Sequence, residues 1–154
     1  MGAQNVPLAK KYLLVVSVYS FFLYIILCGL LLIFKHPISS LFTDQEAIVN
    51  YVLAGLPTMC LAFFLHGIGK AFEGAARGLG KQSYGAGILL VSFYIVCMPL
   101  ISYFVFTKGM GMKGIWMGPV IGGVIEIVSY LILTVFIFDW NKICKEIHEM
   151  LIAS

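Results

Sequence analysis

His66, Lys70, Glu73 and Arg77 fall within twelve residues of one another, in the segment L-H-G-I-G-K-A-F-E-G-A-A-R-G-L-G-K-Q-S-Y-G-A-G that runs from Leu65 to Gly87. On a helix these positions make one polar stripe. Imidazole titrates near neutrality, so His66 suits a proton-coupled step. Arg77 follows Glu73 at i+4, the favourable order for a helical ion pair. A fifth ionisable group, Glu126, stands alone in an apolar run with no Lys or Arg between Lys113 and Lys142. A charge at mid-membrane costs about 2.5–3.5 kcal/mol on insertion scales, so such an acid must face protein or water and is a functional candidate. The candidates for transport or ion coupling are therefore Glu126, His66, Glu73 and Lys70. Each also has a purely structural alternative: a neutral Glu126 hydrogen-bonded across a bundle, a hydrogen-bonded histidine, and an interfacial Glu73–Arg77 salt bridge.

Other chemistry is absent from the pattern. There is no nucleophile elbow, no P-loop and no carboxylate pair with a cleft, so no catalytic residues are assigned and the chain does not read as an enzyme. Cys28, Cys60, Cys97 and Cys144 are widely spaced, without a CxxC or any zinc spacing, so no metal site is expected. The net charge of +3 is small and scattered and gives no footprint for nucleic acid.

The elements that hold these groups are read from hydropathy. The 154 residues are 61 % hydrophobic and 11 % charged, with a mean hydropathy of +1.01. A soluble domain carries about 25 % charged residues. Four apolar runs are each long enough to cross a bilayer, at roughly 20 residues per crossing: residues 12–34, 51–72, 84–106 and 114–138. The expectation is an all-α membrane protein, one membrane domain over residues 1–154, with a polar tail at 139–154. An amphipathic helix is expected in that tail, with Ile143, Ile147 and Met150/Leu151 on one side. Thr43-Asp44-Gln45-Glu46 reads as a capping box that starts a helix near Asp44. Lys35-His36-Pro37 ends the first span, and Gly78-Leu79-Gly80-Lys81 ends the second. Pro57 predicts a kink in the second span.

Gly114, Gly118 and Gly122 recur every four residues, as do Gly67, Ala71 and Ala75. Small residues at this spacing let helices approach closely in lipid. These stripes predict that the second and fourth spans are neighbours, with Glu126 reaching His66 directly or through one water. Lys10, Lys11, Arg77, Lys81, Lys142 and Lys145 fall on one side of the membrane, against Lys35, Lys108 and Lys113 on the other. The positive-inside rule then places both termini in the cytoplasm.

Four segments, in order, resemble the eukaryotic branch of the multidrug and toxic compound extrusion (MATE) transporters. A-A-R-G-L-G-K-Q-S-Y-G-A (Ala75 to Ala86) resembles that family's R-G-x-G-x-Q segment between its tenth and eleventh helices. G-I-W-M-G-P-V-I-G (Gly114 to Gly122) is similar to the opening of the twelfth. G-A-Q-N-V-P-L-A-K (Gly2 to Lys10) is similar to the loop before the ninth, and L-F-T-D-Q-E (Leu41 to Glu46) to the segment before the tenth. The resemblance implies four helices corresponding to helices nine to twelve of a twelve-helix transporter. It implies part of a secondary active efflux transporter that exports a small organic or cationic solute in exchange for H⁺ or Na⁺, with no other cofactor. The partners implied are the lipid bilayer and a missing N-terminal lobe or partner chain. The alternative is a non-transporting accessory or assembly subunit, or a truncated pseudo-transporter. Two departures stand out. His66-Gly67-Ile68-Gly69 replaces the family's D-G-I-Q in the tenth helix, and Glu126 replaces a usual Gln in the twelfth. An acid is lost from one helix and gained on another.

Overall fold

In lipid an uncharged run can satisfy its backbone only by closing hydrogen bonds within itself, as a helix does. The computed structural model describes residues 6–41, 43–140, 142–143, 145 and 149. In it, four helices are long and apolar enough to cross a membrane: Val6–Ile33, Glu46–Gly78, Gln82–Thr107 and Gly111–Ile137, here the first to fourth spans. Each begins a few residues before its apolar run does, through segments that hold polar or charged residues such as Lys10, Glu46, Gln82 and Lys113. The second span has 33 residues, roughly 50 Å at 1.5 Å per residue, against a hydrocarbon core of about 30 Å.

The connections differ in places from the sequence expectation. A bend at Phe34 ends the first span, and Lys35-His36-Pro37 opens a short helix, Lys35–Ser40. Pro37 lies in its first turn, where a missing N–H costs nothing. The capping box does not form. The second span starts at Glu46, and no side chain caps it. Instead the Gln45 N–H donates to Thr43 Oγ1 at 3.2 Å, a local turn that competes with the cap. The stop after the second span is formed by Gly80, at φ 68°. Lys81 N–H donates to Ala76 O (2.9 Å) and Gly80 N–H to Arg77 O (3.0 Å), the Schellman pairing that a left-handed glycine permits.

The third span is not a uniform α-helix. Wide π-helical turns cover Val91–Cys97 and Tyr103–Thr107, and Pro99 follows the first of them. Proline removes a donor and crowds the carbonyl four residues back. Local π adjustment is one way a membrane helix absorbs this. Pro57 and Pro119 lie inside the second and fourth spans.

Packing order follows the small residues. The second and third spans each pack extensively on the fourth, and the first packs on the second. The glycine stripes sit elsewhere than expected. Gly114, Gly118 and Gly122 face the third span: Cβ atoms there would meet Phe104, Cys97 O and Ser92 O at 2.8–3.1 Å. Gly67 faces the first span, under the Tyr24 ring. The second and fourth spans are neighbours through other positions: Gly55 opposite Met112, Gly123 opposite Leu65 and His66, and Gly69 opposite Glu126. The pairs Gly55–Met112, His66–Gly123 and Gly69–Glu126 keep one constant offset, so the two helices run side by side in the same direction.

Most apolar side chains are exposed, as expected where lipid is the solvent. At one end a buried cluster joins Ala76, Leu79, Tyr130, Leu133, Phe138 and Trp140. Trp140 Nε1 donates to Thr134 O at 2.9 Å, and Lys10 Nζ lies 5.5 Å from its ring, which ties the start of the first span to the end of the fourth. Ile143 is buried there too; Ile147, Met150 and Leu151 of the expected tail helix lie outside the described residues, as does Cys144. The other three cysteines are free thiols.

Candidate functional site

The constant offset between the second and fourth spans sets His66 and Glu126 face to face. His66 Nδ1 and Glu126 Oε2 share a proton across 2.7 Å. Glu126 is 0 % exposed and His66 is 16 % exposed, and the second imidazole nitrogen, Nε2, is buried as well, so both groups are closed off inside the bundle. Two glycines make this fit. A Cβ on Gly69 would lie 2.9 Å from Glu126 Oε1, and one on Gly123 would lie 3.0 Å from Leu65 Cβ, next to His66. The third span completes the pocket: the Phe93 ring stacks on His66 with centroids 4.9 Å apart and planes at 22°. Phe93 belongs to the first wide turn, and π turns are frequent at functional positions.

The polar stripe on the second span divides. His66 turns to Glu126. Lys70 Nζ donates to Glu73 Oε2 at 2.5 Å, and Arg77 donates to Glu73 Oε1. Glu73 is buried, at 5 % side-chain exposure, while Lys70 and Arg77 are 55 % and 68 % exposed. Long cations carry their charged ends outward while their stems cover the helix. Lys70 therefore joins Glu73 and not the His66–Glu126 pair. A cleft of about 490 Å³ opens beside this ion cluster, lined by Glu73, Ala76, Arg77, Gln82, Ser83 and Gly85 among others.

Several buried polar atoms lack a hydrogen-bond partner: His66 Nε2, Glu126 Oε1, Ser92 Oγ and the Tyr130 hydroxyl among them. Buried polar groups are normally paired, and each exception needs a reason. Ser92 and Tyr130 were not singled out from the sequence. A serine or tyrosine in an apolar run looks like packing; the one available signal was that Tyr130 lies one turn beyond Glu126. Among the described residues no group of three His, Cys, Asp or Glu side chains could hold a metal ion.

The arrangement can hold and move a proton. It places an acid and an imidazole in hydrogen-bond contact inside the bundle, and among the described residues neither makes an ion pair with a third charged group.

A family model, MatE, matches residues 1–103 of the chain. Protein DETOXIFICATION 4 of Arabidopsis thaliana is 33 % identical over 125 residues, which cover 81 % of this chain and 26 % of that protein. Multidrug and toxin extrusion protein 1 of Oryctolagus cuniculus is 26 % identical over 146 residues, covering 95 % of this chain and 26 % of that protein. The chain thus spans about a quarter of the length of the curated relatives it matches. Among solved structures, the crystal structure of the eukaryotic MATE transporter AtDTX14 superposes with a TM-score of 0.85 at 24 % identity, covering 97 % of this chain and 33 % of that one. This last match is a likeness of fold.

Proposed function

Because this chain belongs to the MatE family, and is an integral membrane protein of four spans, we propose that it is part of a secondary active multidrug or organic-cation efflux transporter, with the His66–Glu126 pair as its coupling site. In this reading its four helices correspond to helices nine to twelve of a twelve-helix transporter, the remaining lobe comes from further chain or a partner, and both termini face the cytoplasm. The observation that carries the reading is the contact itself: a fully buried carboxyl 2.7 Å from an imidazole.

Of the two coupling ions, H⁺ and Na⁺, the pair favours H⁺. A bound cation such as Na⁺ is best held by oxygens, from carboxylates, carbonyls and water. Here half of the donor set is an imidazole nitrogen, a natural proton acceptor and a poor partner for Na⁺. In this reading a proton that neutralises Glu126 removes its charge attraction for His66 and loosens the contact between the second and fourth spans, and loss of that proton tightens it. Solute exchange coupled to H⁺ needs such a two-state element.

The test is efflux of a fluorescent organic cation from cells or vesicles that carry the protein, with an imposed pH gradient and separately with an imposed Na⁺ gradient. The reading expects export under the pH gradient and none beyond background under the Na⁺ gradient. Absence of export under either gradient would favour the accessory or pseudo-transporter alternative.

A further inference from the structure

Tyr130 is fully buried and its hydroxyl has no partner. An unmade buried hydrogen bond is destabilising, and phenylalanine would fill the same space without that cost. The hydroxyl also needs a glycine beside it: a Cβ on Gly85 would lie 3.1 Å from the Tyr130 hydroxyl and 4.0 Å from Glu73 Cγ. The tyrosine hydroxyl and the Glu73 arm therefore flank one small space. Along the fourth span Tyr130 is one turn beyond Glu126, a spacing of roughly 5–6 Å between Cβ atoms. Across the interface Glu73 is one turn beyond Gly69, which faces Glu126. The charged groups near the Tyr130 ring are Glu73, Glu126 and Arg77. Two further buried features share this line: Glu126 Oε1 is unpartnered, and Glu73, unlike Glu126 and Tyr130, lines the cleft at Arg77, Gln82 and Ser83.

We propose that Tyr130 is a proton relay between Glu126 and Glu73, which gives the sealed carboxyl an outlet into the cleft. The proposal rests on Glu126 being the proton carrier of the transporter reading above. A hydroxyl is both donor and acceptor, so it can take a proton on its oxygen while giving up its own. In the step, the O–H bond of protonated Glu126 breaks and a new one forms at Tyr130 Oη. The original Tyr130 proton passes to the Glu73 carboxylate. Tyr130 ends neutral, one negative charge has moved from Glu73 to Glu126, and no electrons are exchanged. A rotation of the Glu126 side chain, or one bridging water, closes the remaining distance. Lys70 and Arg77, both largely exposed, are free to turn toward water when Glu73 is neutral, and the proton then leaves through the cleft. Glu126 so gains a mouth at Glu73.

The test is a pH jump on the whole chain in nanodiscs, followed by time-resolved infrared spectroscopy of the protonated-carboxyl band, which Glu126→Gln assigns. All variants carry His66→Gln, which keeps a hydrogen-bonding partner for Glu126 but passes no proton, so that exchange through the imidazole does not mask the relay. The expected result is that Tyr130→Phe leaves the titration end point of Glu126 unchanged and slows its relaxation by about a hundredfold, the range for one positioned proton-transfer group. Glu73→Gln slows it comparably, adds nothing to Tyr130→Phe, and gives the answer independently should the tyrosine variant fail to fold. Relaxation as fast as the parent's in these variants overturns the relay while leaving the transporter reading intact. A Glu126 band that does not titrate at all overturns the proton-carrier reading, and the relay with it.

Discussion

Gly69 and Glu126 are fitted to each other: a Cβ on Gly69 would stand 2.9 Å from Glu126 Oε1 and 3.0 Å from Cδ. The second span gives up a side chain there so that the fourth can bury an acid. Gly69→Ala is expected to destabilise the protein by about 1–3 kcal/mol, the usual cost of overpacking a tight site. The double variant Gly69→Ala/Glu126→Ala should recover most of that loss. Thermal unfolding of the four members of this cycle measures the coupling. Additive effects would show that the two residues do not share the space.

The glycines separate into two classes, and their substitutions should separate likewise. At Gly118 a Cβ would meet Cys97 O at 2.8 Å and Ile101 Cγ1 at 2.5 Å. Backbone cannot give way as a side chain can, so Gly118→Ala should force the third and fourth spans apart and lower the melting temperature. Gly74 and Gly87 lie in helices with nothing within 4 Å of an added Cβ. There Ala should be neutral or stabilising by up to about 1 kcal/mol, since it loses less backbone entropy in a helix. Melting in detergent compares the three directly.

How far the site could be read in advance depended on which residues carried the signal. Glu126 was legible because an acid in an apolar span has few places to go. His66 was legible because it lies at matching depth on a helix running the same way. The reason given for their adjacency was incomplete. A small-residue stripe shows that some helix comes close and leaves open which one. Gly114, Gly118 and Gly122 receive the third span, while Gly69 and Gly123 make the seam that matters. The polar stripe was real along the backbone, yet Lys70 and Arg77 reach past it to the surface and close on Glu73 alone. Tyr130 was illegible, because only the packed structure shows that its hydroxyl is buried without a partner. The capping box failed for a local reason: Thr43 had a nearer N–H to accept from.

Glu73 has one buried carboxylate and two exposed cations, and that imbalance predicts non-additive losses. Lys70→Met or Arg77→Met alone leaves one cation in place and should cost no more than about 1 kcal/mol, as for exposed ion pairs. Removing both leaves a buried charge without compensation, which costs about 3–5 kcal/mol. Chemical denaturation of the two single variants and the double variant tests this, and a double variant equal to the sum of the singles would contradict it.

The central claim is that Glu126, paired with His66, carries the proton that drives export. The most direct measurement is organic-cation export under an imposed pH gradient, by the wild-type protein and by Glu126→Gln, with solute binding measured on the same preparations. Glutamine keeps the shape and the hydrogen bond to His66 but cannot carry a proton. The account predicts that the variant still binds solute and that its gradient-driven export falls by about a hundredfold or more. Export by Glu126→Gln at the wild-type rate would contradict it.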